Sequence, residues 1–434
     1  MHGKDFDINI DNLSKIEGHA DLEISIKNKK VQHVKLKISE NKRFFTQAVR
    51  GKPATGIYQI VSRICGTCSV AHQTACIEAV EKGIGIRPSD QTIALRNLML
   101  YGLNIRDHAM HLYLFCLPDI YGKDSVLEFP DDGPEHELLH DCFDIKAVGN
   151  NLGSEIGGRA IHATNTAVGG YMKMPSIDNL KKIAKDLEGI REKTIKLVDI
   201  FYKCDFEHQS DSSFVSLINK DFSYLGEELA SSTGVCVPEA LFGDHLQKVV
   251  IPYSQAPGFE FQGKQFIVGA ISRMNLNGSK VNRRTRKDLS KYVGVFPSKN
   301  LFHNNLAQAI EIVHCIDHSL EIIDGLEIKA EKPNLPLKLE KEVEGIGAIE
   351  APRGTLYYDL RISPDMKINS VNLVIPTSQN QISMEREIGK LVQNCLDAGM
   401  GADKIHFEIE KLIRAYDPCM SCATHFLKVK WNKE

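Results

Sequence analysis

The chain has 434 residues, 42% hydrophobic, 7% aromatic and 25% charged, the composition of a globular protein with an extensive core. Its 53 lysines and arginines against 56 aspartates and glutamates leave a formal net charge of -3, so no global field favours nucleic acid or an anionic membrane. No apolar run approaches the length of about 18 residues that a transmembrane helix requires, and the charged opening "MHGKDFDINI" lacks the apolar core of a secretory signal.

In chain order, "ADLEISIKNKKVQHVKLKIS" alternates apolar and polar residues (Leu22, Ile24, Ile26, then Val34, Leu36, Ile38) on either side of Asn28, which predicts a half-buried hairpin. From Pro88 to Pro118 the period becomes helical, and Asp107 and His111 fall at i, i+4 on one face. The glycine-rich "LGSEIGGRAIHATNTAVGGYMKMP" lacks a strand followed by GxGxxG and reads as a tightly packed loop, not a dinucleotide site. After Pro175, Ile183, Leu187, Ile190, Leu197 and Phe201 predict a long amphipathic helix whose apolar stripe is core. The basic cluster Arg283, Arg284, Arg286 and Lys287 reads as a solvated surface loop. Further helices fit "NNLAQAIEIVHCIDHSLEIIDG" and "SMEREIGKLVQNCLDAG", with strands "GTLYYDLRI" and "INSVNLVIP" between them and Pro364 in their turn. Residues 325–342 form the one linker-like stretch, rich in charge and proline.

Eleven cysteines, an odd number in a chain with a full-sized core, do not make a secreted disulfide scaffold. Seven are isolated and read as small buried apolar residues, Cys315 among them. The other four form two Cys-x-x-Cys pairs: "RICGTCSVAH" carries Cys65, Cys68 and His72, and "DPCMSCATH" carries Cys419, Cys422 and His425. Either pair alone could chelate a soft metal or close a redox disulfide. Cys68 and Cys419 are separated by 350 residues, against roughly 12 to 20 between the halves of common zinc-binding patterns, which counts against a local zinc knuckle. Four thiolates converging on soft metal need cations and donors near the sulfurs, and Arg63, His72 and His425 are candidates.

The two cysteine motifs, together with "LSKIEGHADLEI", "IEAPRGTLYYDL" and "NLVIPTSQN" in the same order, resemble the large subunit of nickel-iron hydrogenases over nearly the whole chain. The resemblance implies an α+β, mainly helical fold: a single intertwined domain over 1–434, with a central helix bundle and peripheral β hairpins. It implies a catalytic subunit that cleaves dihydrogen heterolytically and reversibly at nickel and iron, the iron carrying carbonyl and cyanide ligands. Cys65 and Cys419 would be terminal nickel ligands, and Cys68 and Cys422 would bridge nickel to iron. Arg353, Asp107 and Asp417 would form a polar canopy over the open position, a permanent guanidinium charge being held near the metals without taking up protons. Cys419 and Glu17 would accept the proton, His72 would donate to a bridging sulfur, and Pro376 and Thr377 would surround a diatomic ligand on iron. Taken alone, a glutamate just before a hairpin reads as a surface residue, so Glu17 rests on the resemblance.

The chain departs from the family at Thr46, where many relatives have a glutamate that helps hold a magnesium or similar hard cation with the histidine matching His425. A hydroxyl is a poorer ligand for such an ion. The seven remaining cysteines offer no iron-sulfur spacing, so an iron-sulfur small subunit is implied, with further electron-transfer subunits, nickel-insertion factors and a maturation endopeptidase that would remove residues 426–434. The ending "RAYDPCMSCATH" is similar to cytoplasmic multi-subunit types. Two alternatives stand beside this reading. One is a hydrogen-sensing subunit of the same fold, against which the short tail after His425 argues; the other is a zinc-stabilised scaffold protein.

Overall fold

The computed structural model describes residues 6–41, 44–333 and 335–424. The predicted amino-terminal hairpin is present as β2 (Ala20–Lys27) and β3 (Lys30–Ile38), and the two residues between them, Asn28 and Lys29, take the positive φ of 50° and 60° that a tight two-residue turn needs. A strand that the alternation did not reveal, β1 (Phe6–Ile10), pairs antiparallel with β2. Leu22, Ile24, Ile26, Leu36 and Ile38 are buried in one cluster with Met384, Ile388 and Leu391 of a late helix, so the hairpin is anchored to the far end of the chain.

Helix α1 (Ser69–Ile84) starts directly after the first cysteine pair. Helix α2 (Asp90–Met110) begins where Ser89 accepts a hydrogen bond from Thr92 N, and the helical path continues through a π turn at His111–Cys116, as the periodicity predicted. Helix α3 (Pro134–Gly157) runs into the stretch read as a loop: residues 152–157 are its last turns, and Gly102 and Gly149 let α2 and α3 approach backbone to backbone. Within that stretch Gly157 packs on Met99 of α2, whereas residues 158–175 leave the helix and are largely irregular, as composition suggested. Helix α4 (Ile177–Lys203) buries the predicted stripe. The basic cluster is a short helix, Arg283–Asp288, and not a loop; it is surface all the same, with Arg284 forked onto exposed Glu188.

Helices α5 (Ala270–Asn277) and α6 (His303–Gly325) lie within the main core. The two predicted strands are β6 (Gly354–Ile362) and β7 (Ile368–Val374), and β5 (Val343–Ala351) completes an antiparallel meander in the order β5-β6-β7. A Cβ on Gly345 or Gly347 would stand within 2.5 Å of backbone oxygens of α1, so both glycines are what allow β5 to lie against that helix. Helix α7 (Pro376–Asp397) begins earlier than its apolar period suggested, with Pro376 at the first helical position, and α8 (Ala402–Ala415) follows.

Buried charge ties these elements together. His108 of α2 donates to Glu311 of α6 at 2.9 Å, Glu311 takes both Nε and Nη2 of Arg273 of α5 at 2.7 Å, and Arg273 Nη1 reaches Glu350 of β5 at 2.9 Å. Arg273 also donates to the carbonyls of Ala351 at 2.9 Å and Pro352 at 3.0 Å, gripping the turn that presents Arg353. Burial would raise the Glu311 carboxyl, but Arg273 and His108 override it and hold it down at about 2. Since this lies below the unfolded value of about 4.3, the ladder's stabilisation is complete above about pH 5 and is lost as pH falls toward 2. Glu311→Gln should therefore destabilise the protein at pH 7 by about 3–5 kcal/mol and flatten the loss of stability between pH 5 and 3; an unchanged acid slope in denaturation curves contradicts the assignment.

Candidate metal centre

Cys65 stands in extended backbone after a single 3-10 turn, and Cys68 is the residue at the N-cap of α1. At the other end of the chain Cys419, also extended, precedes the one-turn helix Met420–Ala423 that carries Cys422. The four Sγ atoms lie within 4.8 Å of one another, every one buried. Cys65 meets Cys419 at 3.4 Å, Cys68 meets Cys422 at 3.0 Å, and Cys419 meets Cys422 at 3.0 Å.

The carboxyl-terminal pair is held by the loop before β2. Met420 N donates to Glu17 O at 2.9 Å, and Glu17 Oε2 accepts from Ser421 N at 3.1 Å and from Cys419 Sγ at 3.0 Å. Gly18 has a φ of +82°, and a Cβ there would meet Met420 Cβ at 2.9 Å, so the close approach depends on glycine. Lys15 fastens the same loop to Asp119 at 2.8 Å, and Asp119 also pairs with both Nε and Nη2 of fully buried Arg414 at the end of α8.

Above the sulfurs Arg353 Nη1 donates to Asp107 at 2.8 Å, and Nη2 stands 3.0 Å from Asp417 in an ion pair off the line of a hydrogen bond. Burial opposes the guanidinium charge, but Asp107, Asp417 and the sulfurs of Cys419 and Cys68 keep Arg353 protonated beyond its ordinary range. Asp417 has a φ of 50°, unusual for a residue with a side chain, and Gln308 donates to its second oxygen at 2.9 Å. Gln308 in turn meets His111 Nδ1 at 2.7 Å, so the i, i+4 pair Asp107 and His111 reaches the canopy from one helix face.

His72 is buried, with Nδ1 2.7 Å from the Tyr358 hydroxyl. Thr377 Oγ1 accepts from Cys419 N at 2.9 Å at the start of α7. Cys68, Cys422, His72, Arg353, Pro376 and Thr377 line one cavity of about 20 Å³, enough to admit a small molecule beside the sulfurs. Arg63 does not join them: it is exposed. The cation the sequence reading missed is Arg106, which donates to the carbonyls of Thr67 and Ala160 and so fixes the Cys65–Cys68 loop, while Thr67 Oγ1 lies 3.1 Å from Cys65 Sγ. Its position beside Asp107 was the available signal. His425 lies outside the described residues, and Thr46 sits in the short helix Phe45–Ala48.

The donor set fits soft metal. Burial and the neighbouring thiols push Cys419 and Cys422 well above the ordinary thiol range, whereas Cys65, which accepts hydrogen bonds from Cys419, Cys422 and Cys68, is pulled well below it. Four thiolates so close require a cation between them. Arg353 Nε, Arg353 Nη2 and Asp107 Oδ1 are buried without a hydrogen-bond partner among the described residues, which leaves polar atoms at the cavity for a bound group.

Residues 43–129 and 244–425 match the profile of the nickel-dependent hydrogenase family. The chain is 32% identical to Sulfhydrogenase 2 subunit alpha of Pyrococcus furiosus over 424 residues, covering 97% of this chain and 100% of that one. It is 30% identical to Sulfhydrogenase 1 subunit alpha of the same organism, covering 97% and 98%. A solved NAD+-reducing [NiFe]-hydrogenase in the H2-reduced state has the same fold, with a TM-score of 0.84 and 23% identity over 97% of this chain and 99% of that one. With two buried cysteine pairs converging under a guanidinium canopy, this chain belongs to the nickel-dependent hydrogenases, oxidoreductases that act on dihydrogen.

Proposed function

We propose that this chain is the catalytic subunit of a multi-subunit nickel-iron hydrogenase and that the contact between Cys419 Sγ and Glu17 Oε2, at 3.0 Å, is the first step of its proton path. When bound, the nickel-iron centre supplies the heterolytic cleavage of dihydrogen. Cys65 and Cys419 would hold nickel, and Cys68 and Cys422, whose sulfurs are 3.0 Å apart, would be shared between nickel and an iron that carries carbonyl and cyanide ligands. Cys419 Sγ receives the proton and passes it to Glu17, which stands at the half-buried end of the path toward solvent. Arg353, charged at every working pH, orients Asp107 and Asp417 over the open position and accepts no proton itself.

Pro376 and Thr377 would surround a diatomic ligand on iron, and Thr377, whose oxygen already accepts from Cys419, keeps its hydroxyl proton to donate. Tyr358 fixes one ring nitrogen of His72, which leaves the other to donate to a cysteine sulfur shared by the two metals. Thr46 stands where a carboxylate would join His425 in holding magnesium, and its hydroxyl is a poorer ligand for that ion. The alpha-subunit names of both Pyrococcus relatives support partner subunits, and the absence of iron-sulfur spacing among the seven other cysteines favours an iron-sulfur small subunit and further electron-transfer subunits, in a complex we place in the cytoplasm. No helix among the described residues is long and apolar enough to cross a membrane. We read 1–434 as one domain, matured by nickel-insertion factors and an endopeptidase that removes residues 426–434.

Glu17→Gln preserves the shape of the side chain and removes its acidity. Dihydrogen turnover should fall by at least a hundredfold while nickel and iron content stays at the wild-type level; turnover at the wild-type rate removes Glu17 from the path. Because the metals are ligated from both ends of the chain, their removal should accelerate amide exchange at Met420 and Ser421, whose N–H groups bond to Glu17. Equal protection with and without metal contradicts that coupling.

A further inference from the structure

Far along the sequence from either cysteine pair, the first turns of α3 read "HELLH", His136 to His140, a spacing that places two imidazoles on one helix face. The structure bears out that placement. The two Nε2 atoms are 3.1 Å apart, with ring centroids 4.8 Å apart and the rings inclined at 74°. Leu138 between them is buried, His136 is half-buried and His140 is exposed, so the pair is accessible from water. Two nitrogens bound at about 2.0–2.1 Å to one ion, at angles between about 90° and 109°, stand about 2.8–3.4 Å apart.

We propose that His136 and His140 form a surface site for one borderline divalent cation of the nickel, copper and zinc class, separate from the buried thiolate centre. Imidazole nitrogens suit these ions better than magnesium or calcium. The amino end of a helix disfavours a cation, but Asp131, Asp132, Glu135 and Glu137 surround the pair in sequence and offset that field. The same spacing with a glutamate marks zinc peptidases, which require a third protein ligand. Among the described residues the four-cysteine cluster is the one place where three or more ligand atoms of His, Cys, Asp or Glu lie within 4.8 Å of one another. Water therefore completes the coordination, and the site binds without hydrolysing peptides.

The test uses the intact hydrogenase complex without an affinity tag, its nickel and iron counted beforehand. Calorimetric titration with Ni2+ and with Zn2+ should show one additional ion per chain, bound at least tenfold more weakly by His136→Gln and by His140→Gln. Cu2+ added in its place should give a paramagnetic resonance spectrum with coupling to two nitrogens. No additional ion in the wild type, which would leave the 3.1 Å contact as a plain imidazole-imidazole hydrogen bond, overturns the proposal. So does unchanged binding by the double variant.

Discussion

Four sulfurs from the two ends of the chain must meet within 4.8 Å of one another in a buried interior. Much of the architecture follows from that constraint. The amino-terminal hairpin packs on α7, the loop before it bonds to Met420 and Ser421, and Gly18 gives up its side chain so that the two segments can touch. Lys15, Asp119 and Arg414 clamp the same junction from the other side with charges that are themselves nearly buried. With 350 residues between the two pairs, closing the centre carries a loop-closure cost that the folded core must meet, which couples metal retention to that core.

A second constraint is that a guanidinium must stay charged and still above the sulfurs. Arg353 is bracketed by Asp107 and Asp417, and the turn that carries it is gripped by Arg273 through the carbonyls of Ala351 and Pro352. The ladder His108, Glu311, Arg273 and Glu350 thus links α2, which supplies Asp107, to the strand that leads to Arg353. Such buried ions add little stability over apolar packing, but breaking one pair is costly, so their value here is the fixed geometry of the canopy.

The chemistry was more legible than the scaffold. Cysteine spacing, the histidines after it and the motif order led to the metal centre because ligands must be particular residue types. Strand alternation found β2, β3, β6 and β7, and helical period found α2, α4 and α6. It missed the start of α7, where Pro376 to Gln381 face other buried polar groups and carry no apolar stripe. Residues 152–157 were mistaken for a loop because glycine serves helix contact and turns alike. Arg273 and Gln308 were invisible for a different reason: each acts by bonding to a backbone carbonyl or a distant side chain, and no local pattern records such a partner, while Arg106 was marked only by its place beside Asp107. "HELLH" was in plain view, but only the helix shows that its two imidazoles face each other.

The central claim is that the cluster of Cys65, Cys68, Cys419 and Cys422 holds nickel and iron. Elemental analysis of the purified complex, joined to its infrared spectrum, tests it most directly. The account predicts nickel and iron in equal amounts at the large subunit, with bands from carbonyl and cyanide bound to metal. Zinc alone, with no such bands, would contradict it.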